Sequence, residues 1–121
     1  MAGRKLPHGE LEALVMGVLW DGDAPLSPAE VRARLAPARA LAYTTVMTIL
    51  VRLHDKGLVT RERSGRAYLY RPRQSREEQA AQRMGELLAT TGDRSLALAR
   101  FVASLPPDQL AALRRALETE A

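Results

Sequence analysis

No cysteine occurs anywhere in the 121 residues. Disulfide frameworks, thiolate metal centres and cysteine nucleophiles are therefore excluded. Histidine is nearly as scarce. His8 and His54 are the only two, far apart in the chain, and each reads as a structural or solvated side chain. Neither a metal nor another cofactor is expected. Only five residues are aromatic, so the core must be built from Leu, Val and Ala, which suits helices. There is no run of eighteen apolar residues and no signal-like start, so we expect a soluble, unexported, cytoplasmic chain without membrane insertion. A Gly-rich phosphate loop and a paired His–carboxylate motif are also missing, which argues against an enzyme.

What is present is basic charge, unevenly placed. The formal net charge is +4. Residues 32–73 hold ten Lys or Arg against Asp55 and Glu62, a net of +8. Residues 74–121 hold six basic and seven acidic groups and are nearly neutral. Positive charge gathered on one stretch suggests a polyanionic partner.

At the centre of that stretch lies Leu41 to Gly57, LAYTTVMTILVRLHDKG. Val46, Ile49, Leu50 and Leu53 recur at i, i+3, i+4 and i+7, one face of a helix. Gly57 follows the last periodic position, with Lys56 in the final turn, a chemically sensible stop. Across from the apolar stripe lie Thr44, Thr48, Val51 and Asp55, flanked by Thr45 and Arg52 on one side and Met47 on the other. A merely solvated face would carry Lys and Glu pairs. Thr offers a hydroxyl and a methyl, and Arg reaches guanine or phosphate, so this face has the chemistry of base-edge contact.

The chain on either side gives the helix its setting. Residues Met1 to Pro7 read as a short basic arm. Leu11, Leu14, Val15 and Val18 predict a core helix over 10–20, closed by Trp20 and ended by the turn Asp21-Gly22-Asp23. Ser27, Pro28 and Glu30 spell an N-cap, a first helical position and a capping box, with Leu26 stapled onto Val31. That helix should run to about Leu35, and a loop containing Pro37 leads to the central helix. After Gly57 the apolar period switches to two. Leu58–Arg63 and Ala67–Arg71 flank Ser64-Gly65-Arg66 as a β-hairpin, with Pro72 ending the second strand. Tyr68 and Tyr70 are read as packing residues rather than base-stacking ones.

Helix, helix, helix, hairpin is the order of a winged helix-turn-helix, so the fold class is mainly α with a small β-hairpin. The recognition helix would present Thr44, Thr45, Met47 and Thr48 to base edges, with Arg52 on phosphate. Arg61, Arg63 and Arg66 would form a basic wing. From Ser75 the character changes. Ser75 and Glu78 make a second capping box, opening a helix that ends near Gly92. Asp93 caps another, and Pro107 opens the last. Their apolar stripes are Met84/Leu88, Leu98/Phe101/Val102/Leu105 and Leu110/Leu113/Leu117. Fewer than fifty residues in three such helices bury little surface alone, so a second copy is expected to cover them. The expected division is a DNA-binding domain over 1–73 and a helical dimerisation region over 74–121.

Taken in order and spacing, LEALVMGVLW, LAYTTVMTILVRLHDKGLV, GRAYLYRP and FVASLPPDQLAALRRALE resemble the penicillinase repressor family, with its BlaI, MecI and CopY relatives. AYTTVMTIL is similar to the actinobacterial members. The resemblance implies a homodimeric winged-helix repressor of operator dyads with TACA and TGTA elements, acting on β-lactamase or related cell-envelope or respiratory genes. It further implies a membrane sensor protease that ends repression by cleavage in the dimerisation region, which by position is Arg100-Phe101. Relatives cut there resemble Asn-Phe, so Arg100 is a departure. The copper-responsive branch uses C-terminal cysteines, which this chain lacks. Beside the repressor stand two other readings, a winged-helix protein-interaction module and a regulator answering another signal. Salt-dependent, sequence-selective retention on duplex DNA separates a repressor from an interaction module.

Overall fold

Capping chemistry sets where the helices begin. In the computed structural model, which describes residues 8–120, Ser27 Oγ accepts from the Glu30 N–H at 3.2 Å and Glu30 Oε1 accepts from the Ser27 N–H at 2.9 Å. The same reciprocal pair joins Ser75 and Glu78 at 3.0 and 2.9 Å. Two orphan donors are satisfied at each helix start. The basic arm expected over 1–7 lies outside the described residues.

The elements follow in the order α1 (His8–Asp21), α2 (Pro28–Leu35), α3 (Tyr43–Asp55), β1 (Val59–Ser64), β2 (Ala67–Pro72), α4 (Arg76–Ala89), α5 (Arg94–Ser104) and α6 (Pro107–Glu120). The strands pair antiparallel, from Val59 with Pro72 to Ser64 with Ala67. The first strand is therefore shifted one residue towards the turn from its expected place, leaving a two-residue turn of Gly65 and Arg66. Gly65 has φ of +63°, the left-handed value that a hairpin turn with Gly first requires and that a side chain would resist.

Val15, Met16 and Leu19 of α1, Val31 and Leu35 of α2, and Val46, Ile49, Leu50 and Leu53 of α3 form one buried cluster with Leu26, Val59 and Tyr70. Leu26 does more than staple a cap. Its N–H donates to Tyr70 O at 2.9 Å and its carbonyl accepts from the Tyr70 N–H at 2.8 Å, so it acts as a one-residue third strand beside the hairpin. Trp20 is half-buried, and its indole N–H donates to Gln74 O at 3.0 Å. Arg76 lies 5.2 Å from the Trp20 ring and 3.3 Å from Asp21, which fixes the entry to α4.

By compactness the chain divides into residues 1–79 and 80–121, with α4 spanning the division. In the second unit, α4 stops at Ala89, three residues before Gly92. The Thr90 and Thr91 hydroxyls donate to Leu87 O and Leu88 O at 2.7 and 2.8 Å, satisfying terminal carbonyls in place of a further turn. Asp93 caps α5 as expected, accepting from the Leu96 N–H at 3.0 Å. Among the described residues no helix is long and apolar enough to cross a membrane.

Candidate nucleic-acid interface

Helix α3 is held by one side and presents the other. Val46, Ile49, Leu50 and Leu53 are all at most 3% exposed. Opposite them Thr44, Thr48, Val51 and Asp55 are exposed, while Thr45, Met47 and Arg52 are half-buried on the flanks. The periodicity of the sequence thus translates directly into a core face and an outer face. Thr48 Oγ1 donates to Thr44 O at 2.9 Å. Its only proton is engaged, leaving acceptor lone pairs and a methyl group for any partner.

The two ends of α3 differ. At the N-terminus Ala42 supplies no side-chain cap, and no acidic residue lies in the first turn. Arg32 Nε donates to Leu41 O at 2.9 Å and so anchors the loop that delivers this end. Uncapped N–H groups and the positive end of the helix dipole favour an anion. Tyr43, the first helical residue, is 44% exposed and joins the outer face. Sequence periodicity overlooked it because it lies off the apolar stripe at a helix boundary.

The C-terminus of α3 is closed by a Schellman motif. The Leu58 N–H donates to Leu53 O at 2.9 Å and the Gly57 N–H to His54 O at 3.0 Å. Gly57 adopts φ of +77°, as this cap requires. Lys56 Nζ meets both carboxylate oxygens of Glu12 in α1 at 2.8 and 3.0 Å. The Glu12 side chain is 10% exposed and that of Lys56 is 56% exposed. This charged tie fixes α3 against α1 and had no signal in the sequence, because its partners lie 44 residues apart.

In the wing, β1 pairs Arg61 with Tyr70 and Arg63 with Tyr68, placing all four on one face of the hairpin. Arg61 Cζ lies 4.2 Å from the Tyr68 ring centroid and Arg63 Cζ 5.5 Å from it. Arg61 Nη1 donates to the Tyr70 hydroxyl at 3.4 Å, and this bond raises the already high pKa of Arg61. Arg66 is exposed at the turn. Of the expected site residues, then, Thr44, Thr45, Met47, Thr48 and Arg52 share one helix, while Arg61 and Arg63 share the hairpin face and Arg66 its tip.

The residues expected to join two copies lie in α4, α5 and α6 and the turns beside them. Met84, Leu98, Phe101, Val102 and Leu117 are exposed, while Leu88, Leu105, Leu110 and Leu113 are half-buried. Leu87, 70% exposed, and Leu96, 50% exposed, add to this surface. An apolar groove of about 400 Å³ between α4 and α5 is lined by Met84, Leu87, Leu88, Ala97, Leu98 and Phe101, among others. Arg100 and Phe101 are both exposed within α5. Among the described residues no group of His or carboxylate side chains could hold a metal ion.

Comparison with known proteins agrees with this geometry. The family model described as "Penicillinase repressor" matches residues 8–119. The transcriptional regulator BlaI of Mycobacterium tuberculosis (strain ATCC 25618 / H37Rv) is 44% identical over 112 residues, covering 90% of this chain and 81% of that protein. The solution structure of the DNA-binding domain of the repressor BlaI is 28% identical, with a TM-score of 0.51 over 57% of this chain and 83% of that one. A complex structure of hsRosR-S4, 20% identical, has a TM-score of 0.52 over 91% and 94% of the two chains, a likeness of fold alone. The curated relatives are named as regulators of transcription, not as enzymes. With that match running from α1 to α6 and the winged helix in place, the chain belongs to the penicillinase repressor family.

Proposed function

We propose that this protein is a cytoplasmic, homodimeric repressor that reads an operator dyad through α3 and clamps it with the β1–β2 wing. The observation that carries the reading is the split of α3. Four apolar side chains fix one side in the core, while Thr44, Thr48 and the flanking Thr45 and Met47 face outwards without a Lys–Glu lattice. Methyl and acceptor groups on that face suit thymine methyls and amino donors in the major groove. The uncapped start of α3, Arg52, Arg61, Arg63 and Arg66 supply phosphate contacts, which set register rather than sequence. Residues 1–73 act as the DNA-binding domain. Residues 74–121, with the exposed stripes of Met84, Leu88, Leu98, Phe101, Val102, Leu105, Leu110, Leu113 and Leu117, assemble the dimer. Two copies place two α3 helices on half-sites along one face of the duplex. The dyad is of the TACA/TGTA type, and the controlled genes are those of β-lactamase or cell-envelope functions.

Relief of repression by a membrane sensor protease would act at Arg100-Phe101. This bond lies inside α5, so cleavage requires that helix to open first. Phe101 also lines the apolar groove, so a cut there would damage the dimer surface. Retention on duplex DNA at two salt concentrations, with competitor present, tests the reading. A steep salt slope and a sequence preference that survives competitor are expected. Salt-independent or sequence-blind retention would favour the protein-interaction module. For the dimer, Phe101→Ala should weaken self-association by about 2 kcal/mol, since each of two symmetric copies loses roughly 1 kcal/mol of further ring burial. Sedimentation that finds no change would overturn this part.

A further inference from the structure

Arg61 and Arg63 would ordinarily sample many rotamers on an exposed strand. Here both guanidinium groups lie over one ring, that of Tyr68, at 4.2 and 5.5 Å. Tyr68 is itself fixed. It meets the Tyr70 ring edge-on, with centroids 6.4 Å apart and planes at 63°. Tyr70 in turn is 1% exposed and bonded through both backbone groups to Leu26. A chain of contacts therefore runs from the buried core, through two rings, to two cations. Arg61 gives one donor, on Nη1, to the Tyr70 hydroxyl at 3.4 Å, and a guanidinium held over a ring keeps its remaining N–H donors where phosphate oxygens can reach them.

We propose that Tyr68 is a positioning residue for DNA binding, a platform that holds Arg61 and Arg63 in the geometry in which they meet the phosphate backbone, without itself touching DNA. The proposal rests on the DNA-reading function above, and it makes a thermodynamic distinction. A contact residue changes how many phosphates are neutralised, and hence the slope of affinity against salt. A platform changes only how often the cations are in place. Removing it lowers affinity on every duplex alike and leaves the slope intact. The loss is bounded by the stacking that held the two cations, roughly five- to thirtyfold per protomer for its two partly exposed cation–π pairs.

The test compares the full-length protein with Tyr68→Leu, Tyr68→Phe and Arg63→Ala on a cognate and a scrambled duplex over a range of salt. Tyr68→Leu is expected to bind both duplexes more weakly, by about five- to thirtyfold for each protomer engaged, with an unchanged slope. Tyr68→Phe, which keeps the ring face, should bind like the native chain. Arg63→Ala should make the slope shallower by about one unit for each protomer engaged. Circular dichroism confirms that each variant is folded at the assay temperature, and Tyr68→Val, a strand-forming residue without a ring face, replaces the Leu variant should that one misfold. Native affinity in Tyr68→Leu, or weakened binding in Tyr68→Phe, would overturn the platform, as would a shallower slope in either. An unchanged slope in Arg63→Ala alone would instead count against phosphate contact by the wing, and so against the functional reading beneath the proposal.

Discussion

Thr48 offers the sharpest perturbation, because its hydroxyl and its methyl have been given different tasks. The hydroxyl proton is engaged with Thr44 O at 2.9 Å, so the methyl is the group left to meet an apolar patch such as a thymine methyl. Thr48→Val keeps the shape and the methyl and loses only an exposed intrahelical bond. Its effect on specific binding should stay within about 0.5 kcal/mol. Thr48→Ser keeps the hydroxyl and loses the methyl, which removes about 0.8 kcal/mol of apolar burial per half-site, or roughly fourfold in affinity for each. Thr48→Ala loses both and should cost about 1 kcal/mol per half-site, the low end of the range for a base contact. Fluorescence-anisotropy titrations on a cognate duplex and a scrambled one provide the assay. Replacing individual thymines by uracil completes a chemical double-mutant cycle. At the contacted position, the Ser variant should bind the thymine and uracil duplexes equally, whereas the native chain should prefer thymine. The reverse order, Val weak and Ser native-like, would show that the hydroxyl reads a base and would refute the reasoning.

Three further outcomes follow from the same geometry. Arg66→Ala, at the exposed hairpin tip, should weaken binding to cognate and scrambled duplexes similarly and flatten the salt slope by about one unit for each protomer engaged. Lys56→Met strands the largely buried Glu12 carboxylate and should destabilise the fold by about 1.5–3 kcal/mol in urea titrations, with much of the loss restored by adding Glu12→Gln. Glu30 and Glu78 are held below the usual carboxylate range, chiefly by the backbone N–H of Ser27 and Ser75 and then by those serines' hydroxyls. Their stabilising effect is therefore complete above the unfolded-state value of about 4.3 and lost as pH falls through the lower folded-state values. Glu30→Gln with Glu78→Gln keeps both boxes but should flatten that acid limb in pH-dependent melts.

Local chemistry made much of this fold legible. Ser27 and Ser75 with their glutamates, Asp93, and Gly57 after Lys56 each announce a helix end through atoms a few residues apart. The spacing of Val46, Ile49, Leu50 and Leu53 announces the buried face of α3, and so by subtraction its outer face. What stayed hidden is long-range. Leu26 beside Tyr70 is a one-residue bridge with no periodicity to reveal it. Glu12 and Lys56, or Trp20 and Gln74, are ordinary residues until the chain brings them together. The stacking of Arg61 and Arg63 on Tyr68 depends on strand register, which the expected hairpin placed one residue differently on β1. The end of α4 differs for a local reason: Gly92 reads as the stop, but the Thr90 and Thr91 hydroxyls take the carbonyls of Leu87 and Leu88, and the helix closes at Ala89.

Selection from a random duplex pool, followed by sequencing of the retained DNA, tests the central claim most directly. A dimer presenting two α3 helices should enrich two-fold symmetric elements whose half-sites are separated by one helical turn or a multiple of it. Substituting both Thr44 and Thr48 by Ala should abolish the enrichment while leaving salt-dependent binding to bulk DNA. Retained DNA without any common element, or enrichment that survives the double substitution unchanged, would contradict the account.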